Sequence, residues 1–133
     1  MKIGIRTALA SLLLLRIPLF AHHSAAAEYV AELTTWHGTI TRFTWMNPHT
    51  FVYFDAVSPN GEAVHYECEG SSPNGLISNG WTRTSLKPGD KVTIQGWRAK
   101  DRTDGCKVRA VILPDGQRLF MGWIGEAESH IRQ

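Results

Sequence analysis

Apolar and polar residues alternate with a period of two along most of the chain, which predicts strands rather than helices. Thr35–Trp45, "TWHGTITRFTW", is rich in Thr, Ile and aromatic residues and predicts a first strand, with Gly38 where a bulge or bend would sit. Asn47-Pro48-His49 makes a turn, and Thr50–Val57, "TFVYFDAV", predicts a second strand. Asn60-Gly61 suits a tight hairpin turn. In Glu62–Cys68 the residues Val64, Tyr66 and Cys68 share one face, and Ala63, His65 and Glu67 share the other. Ser72 before Pro73 predicts an N-cap and the first residue of a short helix, which Gly80 ends. Lys91–Trp97 and Cys106–Leu113 predict two further strands, the second facing Cys106, Val108, Ala110 and Ile112 one way. A last short run, Gln117–Met121, closes the sheet.

Three strands, a short helix and two or three more strands describe an all-β fold. The expected architecture is a small five- to six-stranded antiparallel barrel of the oligonucleotide/oligosaccharide-binding (OB) type, with an open antiparallel sandwich as the alternative. Gly38 and Gly96, inside the first and fourth strands, would let such a sheet curl sharply. In that barrel the third and fifth strands are neighbours, and Cys68 and Cys106 lie on their apolar faces.

The N-terminus changes the picture of charge and location. Lys2 and Arg6 precede the apolar run Thr7–Leu15, Pro18 breaks it, and Ala21 offers a small residue for cleavage, the pattern of a secretory signal peptide. The run is too short to span a bilayer, so an exported, periplasmic protein is expected rather than an integral membrane protein. Cleavage after Ala21 would make His22 the first mature residue, whereas cleavage after Ala26 or Ala27 would discard both His22 and His23. The expected organisation is a signal peptide over 1–21, a lead-in over 22–34, a barrel over 35–121 and a tail over 122–133. The chain carries 14 basic and 12 acidic residues. Losing Lys2, Arg6 and Arg16 with the signal peptide leaves a net charge of about −1, which excludes the basic footprint of a nucleic-acid-binding protein. In an oxidising compartment Cys68 and Cys106 are expected to pair, with two free thiols as the alternative.

Histidines supply the candidate chemistry. An N-terminal histidine offers its free amine and its ring Nδ1 to one metal, and a second imidazole completes a set that suits Cu(II). His22, His23 and His49 are therefore the candidate copper ligands. The thioether of Met46 would suit Cu(I), with Trp45 as a shield. His37, His65 and His130 carry weaker signals. Asn47 is expected to cap its turn through its side chain, with Pro48 fixing φ. A second constellation, Ser72, Asn74 and Trp81 in "CEGSSPNGLISNGW", reads as an anion- or ligand-binding loop or as a plug for the barrel end. The five tryptophans admit a surface stacking platform. No nucleophile elbow, H-E-x-x-H or phosphate loop is present, and Glu67 and Glu69 have no visible substrate, so catalysis is not expected.

"AHHS", "AAEY", "GTITRFTWMNPH", "EGSSPNGLISNGW", "SLKPGDKVTIQGW" and "LPDGQRLF", in this order, resemble a family of small exported bacterial proteins of unknown function. The resemblance runs from His22 to about Phe120. Its motif residues fall on His22, His23, Ser24, Asn47, Pro48, His49, Ser72, Pro73, Asn74, Gly80 and Trp81, and the cysteines stand outside it. It implies export, cleavage before His22 and this architecture, but no activity. A looser similarity, in fold and ligand type only, is to the periplasmic copper chaperone of metal efflux systems. Two functions are thus expected: a periplasmic copper-binding protein, or a metal-free envelope module that holds a small ligand or a protein partner through surface tryptophans and the "GSSPN" loop.

Overall fold

In the computed structural model, which describes residues 28–122, six strands and one short helix follow one another. They are β1 (Tyr29–Thr44), β2 (Phe51–Val57), β3 (Ala63–Glu69), α1 (Pro73–Ser78), β4 (Lys91–Ala99), β5 (Gly105–Ile112) and β6 (Arg118–Phe120). The first five strands close into a ring, β1-β2-β3-β5-β4-β1, and β6 extends it along β5. This is the expected OB-like arrangement, with one difference. Strands β3 and β5 run parallel where Glu67–Glu69 face Gly105–Lys107. A ring with an odd number of strands cannot alternate direction all the way round, so one seam must be parallel.

The long strand β1 makes closure possible. Its first part pairs with β4, from Tyr29 opposite Ala99 to Thr39 opposite Lys91. Its last part pairs with β2, from Gly38 opposite Ala56 to Thr44 opposite Phe51. The strand therefore begins at Tyr29, six residues before the expected start, and Tyr29–Thr34 belong to the sheet rather than to a lead-in. The local pattern there is weak because none of these six residues is buried, so neither face of the strand needs an apolar row. Gly38 and Gly96, expected to let the sheet curl, serve close approach. A Cβ on Gly38 would lie 2.7 Å from the Phe54 ring, and one on Gly96 would strike the main chain of Lys107 beside a register shift.

Inward-facing residues of the ring form one core, with Trp36, Ile40, Val52, Phe54, Tyr66, Ile94 and Val108 buried. Phe54 and Tyr66 stack at 5.0 Å between centroids, and Trp36 sits 5.6 Å from Tyr66. Cys68 and Cys106 are directly opposed across the parallel seam, with Cα atoms 4.4 Å apart, and form a disulfide. Alternation in β5 fails at its end. Val111 is buried and Ile112 only partly so, because β6 pairs over Ala110–Ile112 and brings Leu119 against Val111.

Helix α1 closes one end of the ring. Ser72 is its N-cap, accepting from the Gly75 N–H at 3.4 Å, Pro73 occupies its first turn, and Asn79 caps its other end before Gly80. Leu76 is fully buried. Among the described residues no helix is long and apolar enough to cross a membrane.

Candidate functional site

The turn between β1 and β2 is held at both ends by threonines. The Phe51 N–H donates to Thr44 Oγ1 at 3.2 Å, which closes the loop across Trp45–Thr50. Thr50, fully buried, donates its hydroxyl to the Ser71 carbonyl at 2.9 Å, while the Gly70 N–H donates to the Thr50 carbonyl at 2.8 Å. These bonds pin His49 against the chain that leaves β3. Asn47 makes no side-chain hydrogen bond among the described residues, so it does not cap the turn; the Thr44 hydroxyl takes that part. Asn47 and Pro48, joined by a cis peptide bond, are exposed. Met46 is also exposed, at 56%. Trp45 is half-buried with its ring edge on Phe43, at 5.8 Å.

His49 is the ordered imidazole of this turn. Its Nδ1 lies 2.8 Å from Glu69 Oε1 and 3.2 Å from the Gly70 carbonyl oxygen. The hydrogen bond runs to the carbonyl, and the carboxylate makes a close contact beside it. Both partners are acceptors, so Nδ1 carries a proton, and in the neutral ring the lone pair is then on Nε2. The His49 side chain is 48% exposed, against 26% for Glu69. The other oxygen of that carboxylate, Oε2, accepts from the Tyr29 hydroxyl at 3.1 Å.

Tyr29 is the first residue of β1, so the start of that strand and His49 meet on one carboxylate. Burial, and then the Glu69 charge beside it, push the Tyr29 phenol well above its ordinary range. A raised phenol pKa means that the folded state keeps a proton which the unfolded chain releases near the ordinary value of 10.0. The stability this contributes is present below that pH and is lost as pH rises beyond it. In urea unfolding between pH 8 and 11, the advantage of the wild type over Tyr29→Phe is expected to be constant below about pH 10 and to shrink above it. A difference that did not change across this range would mean that the phenol is free.

Beside this cluster lies a cleft of ≈ 440 Å³ between the β1–β4 ribbon and the ends of β2 and β3. Tyr29, Phe51, Glu67, Glu69, Lys100 and Arg102 are among its walls. Arg102 reaches across it, donating to the Glu67 carbonyl at 3.0 Å, with the Glu67 and Asp104 carboxylates at 3.7 and 3.6 Å. Its charges thus largely answer one another. On the outer face of β2, Arg42 lies 3.9 Å over the Tyr53 ring, which also stacks on His65. His65 in turn contacts Asp55 at 2.6 Å. This row of side chains is likewise satisfied within the sheet.

Several expected site residues are placed elsewhere. Trp81 is 2% exposed, packs 5.7 Å from Phe43 and donates its Nε1–H to the Phe120 carbonyl at 2.7 Å. It is part of the plug, not of a ligand surface, because an indole can bury its area here and still satisfy its donor. Trp36 is buried as well, so the stacking platform loses two of its members. Ser72 spends its hydroxyl on the helix cap. Asn74 is exposed on α1 and does not line the cleft beside Tyr29 and Glu69. His22, His23, the proposed signal peptide, Trp123 and His130 lie outside the described residues. Among those that are described, no three His, Cys, Asp or Glu side chains gather as a metal site. Tyr29 and the role of Glu69 escaped the sequence reading; the one visible hint was Glu69 standing two residues from Glu67 on the outward face of β3.

A closed five-stranded ring with a plugged end, and a histidine held on the turn between its first two strands, defines a small OB-like β-barrel protein. The chain belongs to the Family of unknown function (DUF6152), whose model matches residues 10–108. No curated protein and no solved structure matches it.

Proposed function

We propose that this is an exported, periplasmic copper-binding protein whose metal is shared between His49 and an N-terminal pair, His22 and His23. The observation that carries this reading is the orientation of His49. With Nδ1 turned onto two acceptors, Nε2 is the nitrogen that holds the lone pair of the neutral ring, on a side chain about half exposed. A ligating histidine is held in just this way when its other nitrogen donates to a carboxylate or carbonyl.

Chain reach supports the second half of the site. Tyr29 touches the same carboxylate as His49, and the six chain steps from His22 to Glu28 span at most about 20 Å. A free terminal amine, the ring of His22 and Nε2 of His49 together make a nitrogen set suited to Cu(II). Met46, exposed on the same turn, is available as an accessory for Cu(I). Binding requires neutral amine and imidazole nitrogens, so affinity falls with pH.

The test starts with protein purified after export, its intact mass and N-terminal residue determined, and Cu(II) titrated against a chelator of known affinity. One tight equivalent is expected for a chain that begins at His22. His49→Ala should bind about a hundredfold more weakly, which corresponds to roughly 2.7 kcal/mol. Equal affinity in the variant would remove His49 from the site, and a chain that begins at Ala27 or Glu28 would remove the histidine pair.

A further inference from the structure

We propose that Glu69 is the positioning residue of this site: it decides the tautomer of His49, and Tyr29 in turn orients Glu69. The metal role of His49 is the reading given above, and this inference rests on it for purpose though not for geometry.

The argument follows the carboxylate. Glu69 is the last residue of β3, and its backbone follows Cys68, which the disulfide ties to β5. Its main chain therefore has little freedom. Its side chain is bridged between two partners, Oε2 accepting from the Tyr29 hydroxyl at 3.1 Å and Oε1 lying 2.8 Å from His49 Nδ1. A carboxylate held at one oxygen presents the other at a defined place. That is what a ligand histidine needs if its ring plane is to be set before the metal arrives.

Two acceptors compete for credit at Nδ1. The Gly70 carbonyl takes the better-aligned hydrogen bond, but at 3.2 Å it is long and uncharged. On a half-exposed ring such a bond must compete with water, and alone it holds a tautomer weakly. The carboxylate is nearer, at 2.8 Å, and carries a full charge, so it attracts the Nδ1–H electrostatically even without the better alignment. The backbone around both is tied down: the Gly70 N–H, in the peptide that joins Glu69 to Gly70, donates to the Thr50 carbonyl at 2.8 Å, and the peptide that carries the Gly70 carbonyl donates its Ser71 N–H to the Met121 carbonyl at 3.3 Å. Glu69 is thus the variable part of an otherwise rigid frame. The burial that keeps Tyr29 protonated agrees with this, because the phenol stays a donor toward the carboxylate.

His65 provides a control within the same molecule. Its Nδ1 contacts Asp55 at 2.6 Å, and no hydroxyl anchors that carboxylate among the described residues. The experiment is long-range ¹⁵N NMR of the imidazoles in copper-free protein at a pH where they are neutral. Wild-type His49 is expected as the Nδ1–H form. Glu69→Ala should convert it to a mixture with the Nε2–H form prominent, and Tyr29→Phe should give a smaller change of the same sign. Asp55→Ala should alter His65 alone. Copper affinity should fall about tenfold to a hundredfold in Glu69→Ala, with Glu69→Gln, which keeps one oxygen acceptor, closer to wild type. Retention of the Nδ1–H form in Glu69→Ala would overturn the inference and assign the role to the Gly70 carbonyl. If the tautomer changes but the wild type holds no copper, the positioning stands and the copper reading falls.

Discussion

Replacing Trp81 with alanine is expected to lower the unfolding free energy by about 4 kcal/mol, within the range for loss of a buried aromatic side chain. The residue is 2% exposed, and its ring lies 5.7 Å from Phe43 beside the barrel end that α1 closes. Its backbone N–H donates to the Leu76 carbonyl at 3.0 Å, so the indole and the helix form one plug. Its Nε1–H satisfies the Phe120 carbonyl at 2.7 Å, at the end of β6. Truncation would therefore open a cavity and detach β6 from α1 together. Trp81→Phe keeps most of the apolar area and loses only that hydrogen bond, which costs about 1–2 kcal/mol. Urea unfolding of the three proteins separates these contributions. A loss below about 1 kcal/mol in Trp81→Ala would show that the indole is not core, and would restore it as a ligand-binding candidate.

Removing the disulfide should cost about as much. Cys68 and Cys106 are 38 residues apart, and a crosslink closing a loop of that size restricts the unfolded chain by about 4 kcal/mol at 25 °C. The bridge also lies at the shortest seam of the ring, where β3 and β5 meet over three residue pairs. Both sulfurs are buried, so alanine at both positions leaves apolar residues in apolar surroundings with little new polar cost. Equilibrium unfolding of the Cys68→Ala/Cys106→Ala protein measures the loss directly. A change under about 1 kcal/mol would mean that the parallel ladder and the core hold the seam unaided. A large loss would also explain how the end of β3, which carries Glu69, keeps its place beside His49.

Much of the barrel was legible because its strands are written locally. Val64, Tyr66 and Cys68 alternate cleanly with outward residues, and Ser72-Pro73 announces the helix that they begin. The failures have physical causes. Tyr29–Thr34 carries no strong strand pattern, since it pairs with β4 without burying either face in the core. Val111 breaks the alternation of β5 because β6 covers it, and nothing within β5 foretells that cover. Trp81 admits both surface platform and plug, with the plug favoured, until the Phe120 carbonyl is seen opposite its Nε1.

The candidate site shows the same division. His49 stood out in sequence as the residue of its turn that turn geometry did not explain. Glu69 looked idle and Tyr29 belonged to an expected lead-in. The three come from the first turn, the end of β3 and the start of β1, twenty and forty residues apart.

By itself, then, the sequence determined the β-strand class, the helix cap and the histidine of interest, because each rests on neighbours within a few residues; the cysteine pair, 38 residues apart, was expected from export and strand order instead. Tertiary structure alone decided the length of β1, the burial of Trp81 and the meeting of Tyr29, Glu69 and His49. These depend on ring closure, which joins residues through space that no local pattern records.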